Sequence, residues 1–309
     1  MGARIDLNRN KFCLNLVLIF YPMRALLCIP HYFKPEEGAR HSSGDPKRVD
    51  QRRDVLRLVL ESWRGIFSGP SGLLTYTPPK DVGVVPLPSR VRHLDICVMV
   101  HGDHHLLDQE MMERYAVRKI SVTIDNPRYL GFGAYSLMER AADAYDWFVF
   151  SEDDLCMRDA FLFEKLGWFQ RLFGEETLLA PNRYEWNARA RYLKTYVDFD
   201  LRAGFIDPFL QLVEGESALQ GEVFGRAISF ERARNPHSGF FAVSRAQLDG
   251  WRKKAAWKSL DASFIGPLES AATLGIVKQF AIYKAAGPDA AFLEIEHLDD
   301  RFSSMTLRR

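Results

Sequence analysis

Four times before residue 155 a short, largely apolar run stops at a polar loop, and that rhythm limits the folds open to the chain. Residues 25–29 end at Pro30, residues 93–100 end at His101-Gly-Asp-His-His105, and residues 119–124 end at Asp125-Asn126-Pro127. Residues 147–150, Trp-Phe-Val-Phe, run straight into Ser151-Glu152-Asp153-Asp154. Short runs that are apolar at neighbouring positions suit strands buried on both faces, as in a parallel sheet. Helical spacing lies between them: Val55, Leu56, Val59, Leu60 and Trp63 recur along 49–67, and 134–144 is a second helical stretch. The alternation predicts an α/β fold with a mostly parallel open sheet flanked by helices.

The later half is less regular. It offers an aromatic-rich amphipathic helix over 161–173, a strand over 177–180 and a mixed stretch over 183–225 rich in Arg, Tyr and acids. A strand over 240–243, a helix over 245–254, a helical turn over 267–274 and a last strand over 292–295, ending at Glu296-His297, complete it. Residues 36–46 read as a polar loop and 69–89 as a proline- and glycine-rich connection. No internal repeat and no sharp domain boundary interrupts the chain, which is expected to fold as one domain.

Charge narrows the partners. Lys plus Arg number 41 against 40 Asp plus Glu, a net charge of +1, so the basic excess that marks a nucleic-acid binder is missing. Cys13, Cys28, Cys97 and Cys156 stand singly in apolar surroundings with no CxxC pair, which predicts buried reduced thiols and a cytoplasmic setting. Ahead of them, Arg4, Arg9 and Lys11 precede an apolar run over 12–20 that is well short of the roughly 20 residues needed to span a bilayer. Residues 1–22 are therefore expected to be a leader or poorly ordered terminus, with peripheral membrane contact through that run left open.

The chemistry concentrates at Glu152-Asp153-Asp154. Three carboxylates at the mouth of a buried strand repel one another unless a cation neutralises them, and Mg2+ or Mn2+ is the hard ion that oxygen ligands select. Ligands of open parallel sheets also bind outside the carboxyl ends of strands. The competing explanation is an acidic cap on the helix that begins near Asp159. Upstream, Asp125-Asn126-Pro-Arg128-Tyr-Leu-Gly131-Phe-Gly133 puts glycines and an arginine between strand and helix, where backbone N–H groups meet phosphates. Neither GxGxxG nor a P-loop is present.

Taken in order, a first strand and its loop, Asn126 and Gly131 ahead of a helix, then Tyr145-Asp146-Trp-Phe-Val-Phe-Ser-Glu-Asp-Asp154, resemble the nucleotide-binding half of GT-A glycosyltransferases. The resemblance covers residues 25–154. It implies a nucleotide-sugar-binding half over 23–155 and an acceptor-binding half over 156–309 of the same domain. It further implies a nucleoside-diphosphate sugar as donor and a carbohydrate or glycoconjugate as acceptor. Pro30, His31, Asn126, Arg128, Gly131, Glu152 and Asp153 are the candidates for nucleotide binding, with His31 and Tyr32 at the base, Asn126, Arg128 and Gly131 at the phosphates and Glu152 near the ribose. Asp154 and His297 would ligate Mn2+ or Mg2+, and Glu269 would deprotonate the acceptor hydroxyl. Glu152 departs from the usual Asp at its position.

Tyr184, Glu185, Trp186, Asn235, His237 and Ser238 combine hydrogen-bonding groups with rings, the mixture that sugars require, and are candidates for substrate binding. Two other functions fit part of the pattern: a non-catalytic carbohydrate- or nucleotide-binding protein on the same fold, and a metal-dependent hydrolase built on His101, His104 and His105. The second lacks further ligands in its neighbourhood.

Overall fold

The structure is a computed structural model that describes residues 23–36, 44–67, 71–77, 81–87, 91–254 and 257–308. The first half contains β1 (Met23–Pro30), α1 (Val49–Phe67), the hairpin β2 (Ser71–Thr77) and β3 (Asp81–Leu87), β4 (Val91–Val100), α2 (Gln109–Arg114), β5 (Val117–Ser121), α3 (Gly133–Arg140) and β6 (Trp147–Ser151). The second half adds β7 (Leu155–Cys156), α4 (Leu162–Phe173), β8 (Thr177–Leu179), β9 (Asn182–Trp186), β10 (Lys194–Tyr196), α5 (Ala203–Leu210), β11 (Ala218–Val223) and β12 (Arg226–Arg232). It closes with β13 (Phe240–Ser244), α6 (Arg245–Trp251), α7 (Pro267–Val277), β14 (Ala281–Ala285) and β15 (Glu294–His297).

The central sheet runs β13-β6-β1-β4-β5, parallel except for β13 at one edge. It is the mostly parallel α/β sheet that the sequence predicts. Its strands are buried on both faces because their apolar residues alternate outward to two cores. Leu27, Val98 and Val149 meet Val59, Trp63 and Phe163 on one side, while Leu26, Cys28, Phe148 and Phe150 meet Tyr135, Phe241 and Trp251 on the other. Each fully buried Leu or Phe contributes on the order of 1.5–3 kcal/mol. Two smaller sheets, β10-β9-β15-β7 and β11-β12-β14-β8, build the second half.

Where expectation and structure differ, local chemistry explains it. Within the connection over 69–89, β2 and β3 pair antiparallel, with Leu73 opposite Val85 and Leu74 opposite Val84; its prolines and glycines hid the strand pattern. The helix after β5 begins where expected but ends at Arg140 rather than 144, and a 3-10 turn over Pro127–Phe132, capped by the Asn126 side chain, leads into it. The last strand begins two residues late because Gly287-Pro288 starts another such turn over Gly287–Phe292. β14 escaped notice because Lys284 interrupts its apolar run, yet Lys284 is itself buried, on Asp198.

Cys28, Cys97 and Cys156 are buried free thiols, while Cys13 lies outside the described residues, as does the whole of the expected leader over 1–22. Among the described residues no helix is long and apolar enough to cross a membrane.

Candidate active site

In the central sheet β1 has β6 on one side and β4 on the other, so the chain reverses its direction of winding between β1 and β6. A crevice opens outside the carboxyl ends of strands at such a point. Here those ends deliver His31, just after β1, and Glu152, Asp153 and Asp154, just after β6.

Asp153 is fully engaged by protein. His31 Nδ1 lies 2.5 Å from its Oδ2, and Arg52 of α1 donates to its Oδ1 at 2.7 Å. His31 Nε2 accepts the Leu106 N–H at 3.0 Å, which assigns the ring proton to Nδ1 and fixes the tautomer. Burial opposes the Asp153 charge, but Arg52 and His31 overcome it and hold the carboxyl well below the usual range.

Its neighbours are not so satisfied. Glu152 Oε1 and Asp154 Oδ1 are buried with no hydrogen-bond partner among the described residues. Burial, then the charge on Asp154 and a contribution from Glu269, push the Glu152 carboxyl up to about 8 against the pull of Arg183 and His297. Gly239 makes room for this carboxyl: its φ is +61°, and a Cβ there would stand 2.6 Å from Glu152 Oε2.

The second sheet supplies the opposite wall. Arg183 and Glu185 alternate onto one face of β9, and the parallel register pairs Arg183 with Ile295, which brings His297 onto that face. His297 Nδ1 lies 2.8 Å from the fully buried Glu185, whose carboxylate also accepts the Ser303 N–H at 2.7 Å. That leaves His297 Nε2 facing Asp154 Oδ2 at 3.7 Å. Although burial works to lower the His297 pKa, Glu185 and Asp154 raise it.

As a cation site these groups are incomplete on their own. Among the described residues no group of three or more His, Cys, Asp or Glu side chains is arranged to hold a metal alone. The pair Asp154 and His297 nevertheless fits a partial shell, because two bonds of about 2.1 Å reach across a gap of this size. Unpartnered carboxylate oxygens lie beside it, and a carboxylate behind the imidazole is the usual support of a metal-binding histidine. Such a shell is completed by water and substrate phosphates.

The remaining candidates divide. Glu269 lies in the first turn of α7, its carboxylate folded toward Gly266, and its charge reaches Glu152. His237 Nε2 is 3.9 Å from Glu152 Oε1, and burial, helped by Arg183, keeps the ring neutral. Ser238 and Asn235 brace the backbone, donating to Pro181 O at 2.9 Å and Phe199 O at 3.1 Å. Pro30 ends β1 and is buried.

Tyr184 and Trp186 project from the opposite face of β9 to Glu185, and Lys194 covers the Tyr184 ring. Gly131 is packed on α7, where a Cβ would stand 2.8 Å from that of Ala271; Asn126 caps its turn, and Arg128 is exposed. His101 and His104 pack around Tyr32, with ring centroids 6.5 and 5.8 Å from it, and form no ligand set.

Sequence inspection missed Arg52 and Arg183. Their helix and strand gave no motif, and only the pairing of β9 with β15 and the packing of α1 bring them to the carboxylates. A cavity of about 980 Å3 lies behind this wall, lined by Asn182, Tyr196, Asp198, Glu231, Asn235 and Lys284 among others.

No family model matches the chain, and no curated protein sequence matches it. Solved structures with a similar chain path include a CMP:2-keto-3-deoxy-manno-octonic acid synthetase complexed with CTP, 12% identical over 80% of this chain and 82% of that one, with a TM-score of 0.33. A mannose-1-phosphate geranyltransferase from Thermus thermophilus is 14% identical over 86% of this chain and 74% of that one, at 0.35. The glucosyl-3-phosphoglycerate synthase of Mycobacterium tuberculosis, in complex with Mn2+, uridine-diphosphate and glucosyl-3-phosphoglycerate, is 15% identical over 72% of this chain, which spans 57% of its length, at 0.31.

Proposed function

We propose that the chain is a metal-dependent glycosyltransferase that moves a sugar from a nucleoside-diphosphate sugar to an acceptor hydroxyl. The observation that carries this is Asp154 facing His297 Nε2 at 3.7 Å across the mouth of the β1–β6 crevice, with buried carboxylate oxygens that no protein group satisfies. Mn2+ or Mg2+ held by Asp154 and His297 would supply positive charge where the departing diphosphate gathers negative charge.

The chain's own residues do the rest. Arg52 and His31 lock Asp153, which fixes the loop that carries Glu152 and Asp154. Glu152, beside Asp154 on this loop, faces the donor. Glu269 accepts the proton of the acceptor hydroxyl as that oxygen bonds to the anomeric carbon. The bond from that carbon to the diphosphate breaks, and its electron pair stays with the diphosphate.

Chromatographic assay of nucleoside diphosphate released from a panel of nucleotide-sugars with Mn2+ tests the proposal. Release that Glu269→Gln abolishes while nucleotide binding survives supports it. Absence of release from every donor, or release unchanged by Glu269→Gln, counts against it.

A further inference from the structure

Arg183 is held in a way that charge neutralisation does not require. Its Nε donates to Asp198 Oδ1 at 2.7 Å and its backbone N–H to Asp198 Oδ2 at 2.9 Å. Lys284 Nζ fixes the same Oδ2 at 2.7 Å and is tied to His237 O at 3.1 Å. The Arg183 side chain is 8% exposed and that of Asp198 4%, so this network is built into the protein. Yet only Nε of the guanidinium is used: neither Nη atom has a protein partner among the described residues.

Arg183 shares the face of β9 that carries Glu185 and meets His297, which itself faces Asp154, so its charge lies beside these groups and acts on Glu152 and Asp154. An arginine serving only to neutralise the carboxylates would close on Glu152 or Asp154. Asp198 holds Nε, and the two Nη atoms, which are not among the buried unpartnered atoms, reach solvent and are open to an oxyanion. A planar guanidinium with two parallel N–H groups matches two phosphate oxygens, whereas a neutral sugar hydroxyl uses it less completely.

We propose that Arg183 is a cation-independent binding arm for the diphosphate of the donor. This rests on the glycosyltransferase function proposed above. It adds to that function a protein ligand for the leaving group, one that grips the diphosphate before and apart from any metal. Asp198 and Lys284 are its positioning residues.

Calorimetric titration with inorganic pyrophosphate and with a series of nucleoside diphosphates, first in chelator and then in Mn2+, tests this. The wild type is expected to bind pyrophosphate in chelator. Arg183→Lys, which keeps the charge and loses the fork, should weaken that binding by at least about tenfold, the value of a charged hydrogen bond. The same loss should appear in Mn2+, with the affinity for Mn2+ itself unchanged. Should Arg183→Lys fail to fold, Arg183→Met, which leaves Asp198 paired with Lys284, must show the same loss. If nucleoside diphosphates bind the wild type and the variant equally, Arg183 is not the arm and the glycosyltransferase proposal stands. If none binds the wild type even with Mn2+, both fall.

Discussion

His297 presents Nε2 to Asp154 Oδ2 at 3.7 Å while Glu185 Oε1 holds its other ring nitrogen at 2.8 Å. The orientation of the imidazole is therefore set by a fully buried carboxylate behind it. Glu185→Gln keeps the volume but turns an amide toward the Ser303 N–H, so about 1–3 kcal/mol of stability should be lost. With His297 freed to rotate, the affinity for Mn2+ should fall roughly 10–100-fold, the usual effect of removing such a support. Mn2+ titration of folded wild type and variant measures it.

Glu152 predicts a pH dependence. Its folded-state pKa, about 8, lies above its ordinary value of 4.5, so below 4.5 it is protonated in both states and contributes fully. As pH rises from 4.5 to 8 the unfolded chain loses this proton while the folded chain keeps it, and stability falls. Glu152→Gln removes the effect. The metal-free variant should melt at a progressively higher temperature than wild type as pH rises through that window, the gain reaching a few kcal/mol at most. Melting curves at a series of pH values in chelator would show it; parallel profiles would contradict it.

Asp153 has the opposite sign. Arg52 and His31 hold its carboxyl below the usual range, so the stability it contributes is present above its ordinary pKa and disappears as pH falls through the depressed one. Asp153→Asn should be destabilised at neutral pH by up to about 3 kcal/mol, because Arg52 loses its hydrogen-bonded partner and keeps only Asp154, 3.7 Å away. Its acid limb should also be flatter, as urea unfolding at a series of acidic to neutral pH values can measure.

Gly239→Ala combines two penalties. A left-handed backbone costs a residue with Cβ on the order of 1–2 kcal/mol, and the new atom would stand 2.6 Å from Glu152 Oε2. Denaturant unfolding should show a loss of at least about 2 kcal/mol. The displaced Glu152 should no longer report the raised pKa.

The parallel sheet was legible because apolar runs such as 147–150 carry their own signature, and the acidic loop after that run was legible because three carboxylates there demand an explanation. The hairpin was not, since Gly72, Gly83 and Pro86 break the alternation that names a strand. Arg183 was invisible for a different reason. Its place depends on β9 pairing with β15, far along the chain, and on Asp198 curling back to hold it. Nothing local marks such an arginine. Tyr184 and Trp186 shared a segment with Glu185, but strand alternation separates them from it.

Under the proposed function, a cation at Asp154 would complete the nucleotide site. The melting temperature of the purified protein against a panel of nucleoside diphosphates, with and without Mn2+, in wild type and Asp154→Ala, tests this most directly. One nucleotide is expected to raise the melting temperature, and Mn2+ to enlarge the rise to roughly 5 °C at about a hundredfold excess over Kd. Asp154→Ala should lose the enlargement while remaining folded. A rise that Mn2+ leaves unchanged, or one that survives intact in Asp154→Ala, would contradict the assignment.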